Sequence, residues 1–350
     1  NNKTTTKATG KKITRVAAKE TTRKATMFVF LLAACCLVGM APQTAAAKVA
    51  FPKGGPSTVM GLGLQALRNK RSSQLIKDCI SVGLEEGGYY HKSVGDPTVC
   101  GVYLASGPSQ RVQITLDYLD IDCKSGGLIS FLDGWELNGE VFPPTADVPM
   151  EGRVEELCGR HRRKVFVSSS NAASLLYTLP RRGDVFKFSV KFIKHPTPCN
   201  ILVNGDSGVF TLRNHGTRIN CSLAAVFPAS ISLLQLSVGV PAIRGIRRAA
   251  PNRFIETGVM HRCSKRGLED EVVVGGSLGL DVSNMVVEDD ICGLDSNPRG
   301  RPSSVLCEVS VVRLISSGNT ENSVTVAVSQ LQFEDPNMIP TTVCPMPNEA

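Results

Sequence analysis

Apolar and polar residues alternate with period two in several stretches of the chain. In the first, Val112, Ile114, Leu116 and Tyr118 are separated by polar residues, and 186–192 and 324–328 follow the same pattern. Alternation of this kind predicts strands with one buried and one solvated face, as in antiparallel sheets. Gly and Pro pairs between the runs predict turns. The pattern therefore predicts an all-β fold of antiparallel β-sandwiches, with one candidate helix around Leu62–Lys77.

An apolar run near the beginning of the sequence predicts a targeting segment. Residues 27–47 open with about fifteen apolar or small residues, too few to span a membrane and typical of a signal peptide. Three alanines follow, so we expect cleavage after Ala47. A buried core helix is the alternative, but no capped amphipathic pattern surrounds the run. Residues 48–74 then form an N-terminal segment of a secreted, extracellular product without a membrane anchor.

Most of the positive charge lies in residues 1–26. The net charge of the chain is +8, and these residues hold eight Lys or Arg and a single acid, Glu20. We interpret them as untranslated sequence read in frame, with Met27 as the start, rather than as a long positively charged leader. Because the remaining residues carry a net charge of only +1, we expect no basic face on the folded body. Nucleic acid and membrane are therefore not expected as partners.

The ten cysteines after the apolar run are spaced as two copies of one unit. Those at 79, 100, 123 and 158 are separated by 21, 23 and 35 positions, and those at 199, 221, 263 and 292 by 22, 42 and 29. No close pair of the kind that binds zinc is present, and an even number in a secreted chain predicts disulfides. We therefore predict a first module at 75–195 and a second, longer module at 196–345.

Local motifs of the first module resemble those of a CUB domain. They are VQITLDYLDIDC, LISFLDGW, ELCG, VFVSSSN and DVFKFSVKF. The whole of 75–345 resembles the corticotropin-releasing factor-binding protein family, in ITLDYLDIDCKSGGLISFLDGWELNGEVFPP, PCNILVNGDSGVFTL, RINCSLAAVFP and VVRLISSGN. The resemblance implies two tandem CUB-like β-sandwich modules stapled by disulfides.

The family resemblance also implies a function. It predicts a secreted glycoprotein that sequesters CRF-like peptide hormones, of the CRF, urocortin or diuretic-hormone type, and limits their receptor signalling. No cofactor and no catalysis are implied. The alternative is a generic extracellular protein whose CUB modules bind carbohydrate or matrix protein.

The resemblance and the repeat together predict the covalent features. We expect sequential disulfides, of which repeat symmetry supports the first four: Cys79–Cys100, Cys123–Cys158, Cys199–Cys221, Cys263–Cys292 and Cys307–Cys344. Asn220 begins the sequon Asn-Cys-Ser and is expected to carry a glycan. Gly126-Gly127 and Pro180-Arg181-Arg182 stand where the CUB pattern places acidic residues. We therefore expect no calcium site in the first module and no other metal site in the chain.

The hormone is expected to contact the segment before the first cysteine of the module. The predicted contacts are Leu62, Leu64, Leu67, Leu75, Ile76 and Trp135 as an apolar lining, with Arg68 and Arg71 at the rim. Trp135 is equally well interpreted as a half-buried sandwich residue. Gly205-Asp206-Ser207-Gly208 matches the tetrapeptide around a protease nucleophile, but none of the five histidines has the context of a catalytic base. We therefore expect no enzyme activity.

The extra residues of the second module predict a cleavable loop at 241–262. The stretch PAIRGIRRAAPNRF is arginine-rich, contains two prolines and lacks alternation, although an ordered hairpin is the alternative. Because exposed polar loops are where proteolytic nicking concentrates, trypsin at limiting concentration is expected to cut first after Arg247 or Arg248. Mass spectrometry of the two large fragments checks this, and earliest cuts elsewhere would contradict it.

Overall fold

The computed structural model describes residues 73–205, 207–240, 256–332 and 339–345. The predicted signal peptide and the cleavage after Ala47 lie outside these residues. So do five of the predicted ligand contacts, which are Leu62, Leu64, Leu67, Arg68 and Arg71. Arg247 and Arg248 of the predicted cleavable loop also lie outside them. The described residues belong to one compact unit, Thr58–Ala350.

The first module consists of thirteen strands and one 3-10 helix. The strands are β1 (Gln74–Leu75), β2 (Ile80–Val82), β3 (Gly87–Lys92), β4 (Asp96–Ala105), β5 (Gln110–Ile121), β6 (Leu128–Leu132), β7 (Trp135–Leu137), β8 (Glu140–Phe142), β9 (Val154–Leu157), β10 (Gly159–His161), β11 (Lys164–Val167), β12 (Ala172–Leu179) and β13 (Val185–Lys194). The helix spans Cys123–Ser125. The prediction of a helix around Leu62–Lys77 is wrong for the residues that the structure describes, because Gln74–Leu75 form strand β1, which pairs with β3.

Two sheets sandwich the core of the first module. Sheet A has the order β1-β3-β13-β5-β10, with β11 also on β5, and sheet B has the order β2-β4-β12-β6-β9. Their inner faces bury alternate residues such as Phe186 and Phe188 of β13 and Phe131 of β6, as the period-two pattern predicts. Most pairs are antiparallel, but β1–β3 and β2–β4 are parallel.

The second module contains eleven strands and two 3-10 helices in the described residues. The strands are β14 (Ile201–Val203), β15 (Gly208–Arg213), β16 (Cys221–Ala225), β17 (Ala229–Val238), β18 (Gly258–His261), β19 (Glu271–Ser277), β20 (Val286–Asp295), β21 (Ser303–Leu306), β22 (Val309–Ile315), β23 (Ser323–Gln330) and β24 (Thr342–Val343). The helices span Ser264–Arg266 and Val282–Asn284. Strand β18 pairs with β20, so the end of the predicted loop at 241–262 is strand rather than loop.

The two modules share a topology. The order β14-β16-β22-β19-β20 repeats β2-β4-β12-β6-β9, and the first pair is parallel in both. In the second module, hydrogen bonds join the described strands into one continuous sheet, because the long strand β20 pairs with both β19 and β17. The predicted fold of two tandem β-sandwich modules is confirmed.

Five disulfides join the ten cysteines in the sequential order described above. The bonds are Cys79–Cys100, Cys123–Cys158, Cys199–Cys221, Cys263–Cys292 and Cys307–Cys344, with sequence separations of 21, 35, 22, 29 and 37. On the loop-entropy account, closing a loop of this length stabilises the folded state by about 3–4 kcal/mol. Cys79–Cys100 ties β2 to β4, so the edge of sheet B is held covalently.

One bulge changes the side-chain pattern that the sequence predicts for β5. The pairing of β13 with β5 shifts register between Lys187 and Phe188, which leaves Asp117 as the extra residue. A bulge reverses the alternation beyond it, so Leu119 is buried while Tyr118 is half-exposed. The prediction that Tyr118 shares the buried face with Leu116 is therefore wrong.

The modules are joined by a shared apolar cluster. Trp135 and Phe142 from the β7–β8 hairpin pack with second-module residues Leu202, Ala224, Leu280, Val282, Val309 and Val311. The Asn171 side chain completes the contact, because its Nδ2 donates to Leu202 O at 2.8 Å and its Oδ1 accepts from Leu202 N at 2.8 Å. The amide thus pairs with the edge of β14 as a neighbouring strand would.

Candidate functional site

The outer face of sheet B carries apolar side chains at the β2 edge. Register places Ile80 beside Gly101 and Val82 beside Tyr103, and Leu176 on β12 lies opposite Gly101. Ile80, Val82 and Val99 are 54%, 51% and 64% exposed, and Tyr103 and Leu176 are half-buried. We call these five residues, Ile80, Val82, Val99, Tyr103 and Leu176, the apolar face. A contiguous apolar surface of this kind marks a binding site more often than scattered apolar residues do.

The corresponding face of the second module is not exposed. Strands β14, β16 and β22 turn Leu202, Ala224 and Val311 outward, and all three are buried in the cluster between the modules. The first-module hairpin covers that face, whereas the described residues place no element over Ile80, Val82 and Val99. The repeat therefore presents the same sheet face twice, once as a module contact and once as a free surface.

A glycine shapes the apolar face. A Cβ atom on Gly101 would lie 2.7 Å from Cε2 of Tyr103 and 3.1 Å from Cδ2 of Leu176, so only glycine lets these side chains close over the backbone. The Tyr103 ring meets Trp135 edge-on, with ring centroids 5.5 Å apart. Burial and the nearby Glu136 carboxylate raise the pKa of Tyr103, so its hydroxyl is neutral at physiological pH. The face is apolar and preformed, with exposed Lys77 and Asp78 beside it.

The structure does not bring the described predicted ligand contacts together. Ile76 is 5% exposed and lies between the sheets, where its N–H donates to Tyr90 O at 2.9 Å. Trp135 is also buried, and its Nε1 donates to Leu104 O at 2.8 Å. Neither can line an exposed groove, because each is enclosed by the core it stabilises. Leu75 is exposed, but it lies beside Tyr90 on sheet A, in the layer opposite the apolar face.

The sequence pattern gave little reason to choose the apolar face. Ile80-Ser81-Val82 alternates over only three residues, which is too short to distinguish from a turn. Val99, Tyr103 and Leu176 belong to strands that are far apart in the sequence. The available signal was the position of Ile80 directly after Cys79, because the disulfide fixes that strand at a sheet edge.

Asn220 is half-buried at the contact between the modules. Its Nδ2, the atom that a glycan would occupy, donates to Asp147 Oδ1 at 2.9 Å, and its Oδ1 accepts from Ser316 N at 3.3 Å. A glycosylated Nδ2 keeps one N–H, and a cavity of about 650 Å³ borders both Asn220 and Asp147. The glycan at Asn220 stays a prediction.

The protease-like tetrapeptide and the candidate calcium position are both built from residues with structural roles. Ser207 Oγ accepts from Gln330 N at 3.3 Å, as a turn residue beside β15 would, while Asp206 of the same motif lies outside the described residues. At the candidate calcium position, Asp122 caps the 3-10 helix and pairs with Arg181 at 3.4 Å. Within the described ranges, no three His, Cys, Asp or Glu side chains converge as a metal-ion site. No described helix is long and apolar enough to cross a membrane.

Family models match both modules of the chain. The corticotropin-releasing factor binding protein N-terminal domain matches residues 70–194, and the C-terminal domain of the same family matches residues 201–337. The chain belongs to the corticotropin-releasing factor-binding protein family. One relative is the human corticotropin-releasing factor-binding protein, which is 31% identical over 245 residues. The match covers 68% of this chain and 71% of the human protein.

Other relatives bear the same family name. The rat corticotropin-releasing factor-binding protein is 30% identical over 67% of this chain and 69% of its own length, and the Xenopus laevis protein is 27% identical over 72% and 76%. Among solved structures, the CUB1-EGF-CUB2 domains of rat MASP-1 align with 73% of this chain and 99% of that chain, at 10% identity and a TM-score of 0.22. A TM-score this low supports no argument from that structure.

Proposed function

We propose that this chain is a secreted protein that binds CRF-like peptide hormones and keeps them from their receptor. The observation that carries the proposal is membership of the CRF-binding protein family across both modules. Five disulfides support secretion, because disulfides persist in oxidising, extracellular compartments. Binding alone is sufficient to limit signalling, because a hormone held by this protein cannot engage its receptor, and no catalytic step is needed.

We assign hormone binding to the apolar face. A free peptide of this class is disordered and pays several kcal/mol to fold into an amphipathic helix on binding. It therefore needs a rigid apolar surface that accepts the apolar side of the helix. Fully burying an exposed Val or Ile side chain contributes about 1.5–3 kcal/mol, and the face offers Ile80, Val82 and Val99 for burial. The Cys79–Cys100 bond holds that edge in place before the peptide arrives.

Val82→Asp is expected to weaken binding of an amidated CRF-like peptide by roughly tenfold or more, since burying an unpaired carboxylate costs more than the 1.4 kcal/mol that a tenfold change in Kd represents. Isothermal titration calorimetry measures the effect. Val165→Asp is the matched control, because Val165 is 52% exposed and lies on strand β11 of sheet A. Equal Kd values for the two variants would remove the apolar face from the proposal.

Sequestration itself has a separate readout. Purified protein is expected to shift the peptide's dose–response curve in a receptor assay to higher concentration, stoichiometrically, while mass spectrometry recovers the peptide intact. Free peptide falls as the binding sites fill, so the shift follows the protein concentration. An unmoved curve at protein concentrations well above that of the peptide would leave the generic CUB interaction protein as the better interpretation.

A further inference from the structure

The outer face of sheet A differs from the apolar face of sheet B in being cationic. Strand register places Lys92, Lys187, Lys191 and Arg160 on this side of the sheet, and Arg162 lies over it from the β10–β11 turn. All five side chains are exposed. The face also carries three carboxylates, Asp117, Asp120 and Glu86. The sequence expectation that the folded body has no basic face is therefore wrong, because a net charge near zero does not report how charges are distributed.

Tyrosine rings lie between the cations. Lys187 on β13 sits in register with Tyr118 on β5 and, on its other side, with Tyr90 on β3. The Arg162 guanidinium carbon lies 5.5 Å from the centroid of the Tyr118 ring, a cation–π distance. The Tyr118 hydroxyl donates to Asp120 Oδ2 at 2.9 Å, which fixes the ring. The result is a flat surface on which aromatic rings and positive charges alternate across three strands.

Most of these cations keep their charge available. Arg160 pairs with Asp120 at 3.1 Å, but among the described residues Lys92, Lys187, Lys191 and Arg162 form no ion pair. These four side chains are exposed, and neighbouring positions on the sheet lie about 5–7 Å apart or at multiples of that distance. Without a ligand, the positive charges therefore repel one another weakly. A polyanion that bridges them would replace repulsion with attraction.

A shallow cavity lies within the cationic face. It has a volume of about 360 Å³, and its lining includes Gly88 and Ser189 together with Lys187 and Lys191. Glu86 and Asp117 also border it, and the Glu86 carboxylate accepts from Phe192 N at 2.7 Å. Two lysines and two carboxylates therefore border the cavity.

We propose that this face binds a sulfated glycosaminoglycan. Its ligand must carry several anionic groups along a chain, because the cations are spread over the sheet rather than gathered at one point. Arginine presents a fork of donors that matches an oxyanion, and lysine supplies a mobile point charge. The flat apolar faces of sugar rings suit the half-exposed Tyr90 and Tyr118 rings, which a compact phosphate or a single acidic side chain would not use.

The compartment favours this polyanion over the alternatives. Five disulfides place the chain where glutathione does not reduce them, away from nuclear and cytosolic nucleic acid. Anionic phospholipids are concentrated on the cytoplasmic leaflet. Such a ligand on the opposite layer of the first module would be separate from the hormone and would hold the protein in the extracellular matrix.

Heparin decasaccharide binding by the purified full chain tests the proposal. The variant Arg162→Gln with Lys187→Gln is expected to raise the Kd roughly tenfold, since each exposed charge pair is worth up to about 1 kcal/mol and 1.4 kcal/mol is a factor of ten. The control Lys265→Gln with Arg266→Gln removes an exposed Lys and Arg from the second module and is expected to change the Kd less than about twofold. Wild-type affinity should fall with salt as charges are screened.

The remaining outcomes are decisive in both directions. Desulfated heparin that fails to bind supports the proposal. Unchanged heparin affinity in the Arg162 and Lys187 variant overturns it, as does an equal loss in the control. Duplex DNA that competes as well as heparin at equal charge also overturns it, because the face would then be a general polyanion surface. Peptide binding by the same variant is expected to match wild type, so failure here is separable from failure of the hormone-binding function.

Discussion

Asp147→Ala is expected to destabilise the protein by about 3–5 kcal/mol, because it leaves a buried arginine without its counter-ion. Asp147 belongs to the loop after β8, and its carboxylate pairs with Arg313 on β22 at 2.9 Å. The side chains of Arg313 and Asp147 are only 9% and 3% exposed. Arg313 Nη1 has no hydrogen-bond partner in the described residues, so the guanidinium depends on Asp147. The variant should also release Asn220 Nδ2 from its acceptor.

Urea unfolding followed by fluorescence of the single tryptophan measures this effect, because Trp135 lies at the same module junction. Arg160→Ala is the control, since it breaks the Arg160–Asp120 pair, in which the arginine is 82% exposed, and exposed pairs contribute about 0–1 kcal/mol. Asp147→Ala with Arg313→Met should cost less than the sum of the single variants. A free-energy loss no greater than that of Arg160→Ala would show that the pair does not hold the junction.

Trp135→Ala is expected to cost about 3–5 kcal/mol, the range for removing a large buried aromatic side chain. The indole fills the cluster between the modules and donates to Leu104 O at 2.8 Å. Truncation therefore leaves both a cavity and a buried carbonyl without its donor. Leu137→Ala on the same strand is the control, because Leu137 is 55% exposed and should cost little.

Circular dichroism is the appropriate probe for the Trp135→Ala variant, which lacks the fluorophore. Trp135→Phe separates the structural role from the role of ligand contact that the sequence left open. It should be less destabilised than Trp135→Ala and bind peptide with wild-type Kd, because a buried ring does not reach the peptide. A large change in the Kd of Trp135→Phe would return Trp135 to the ligand surface.

Strand patterning in the sequence determined the fold of this protein. Val324, Val326 and Val328 are buried on one face of β23, as their alternation predicts, because side-chain direction in a strand follows from backbone geometry alone. The two sets of cysteine spacings indicated the repeat, and the two modules share a strand order. The alternation of side chains and the spacing of cysteines are properties of the sequence itself, so both can be recognised before the structure is known.

Contacts between distant segments were decided only by the tertiary structure. Trp135 could be a ligand contact or a core residue from its sequence context, and the packing of one module on the other buried it. The bulge at Asp117 turned Tyr118 outward because pairing with β13 shifts there. Both proposed binding faces combine strands that are remote in sequence: β2, β4 and β12 for the apolar face, and β3, β13, β5 and β10 for the cationic one. Alternation shows that a strand has two faces, but the neighbours on each face are set by strand order and register, which only the folded chain fixes.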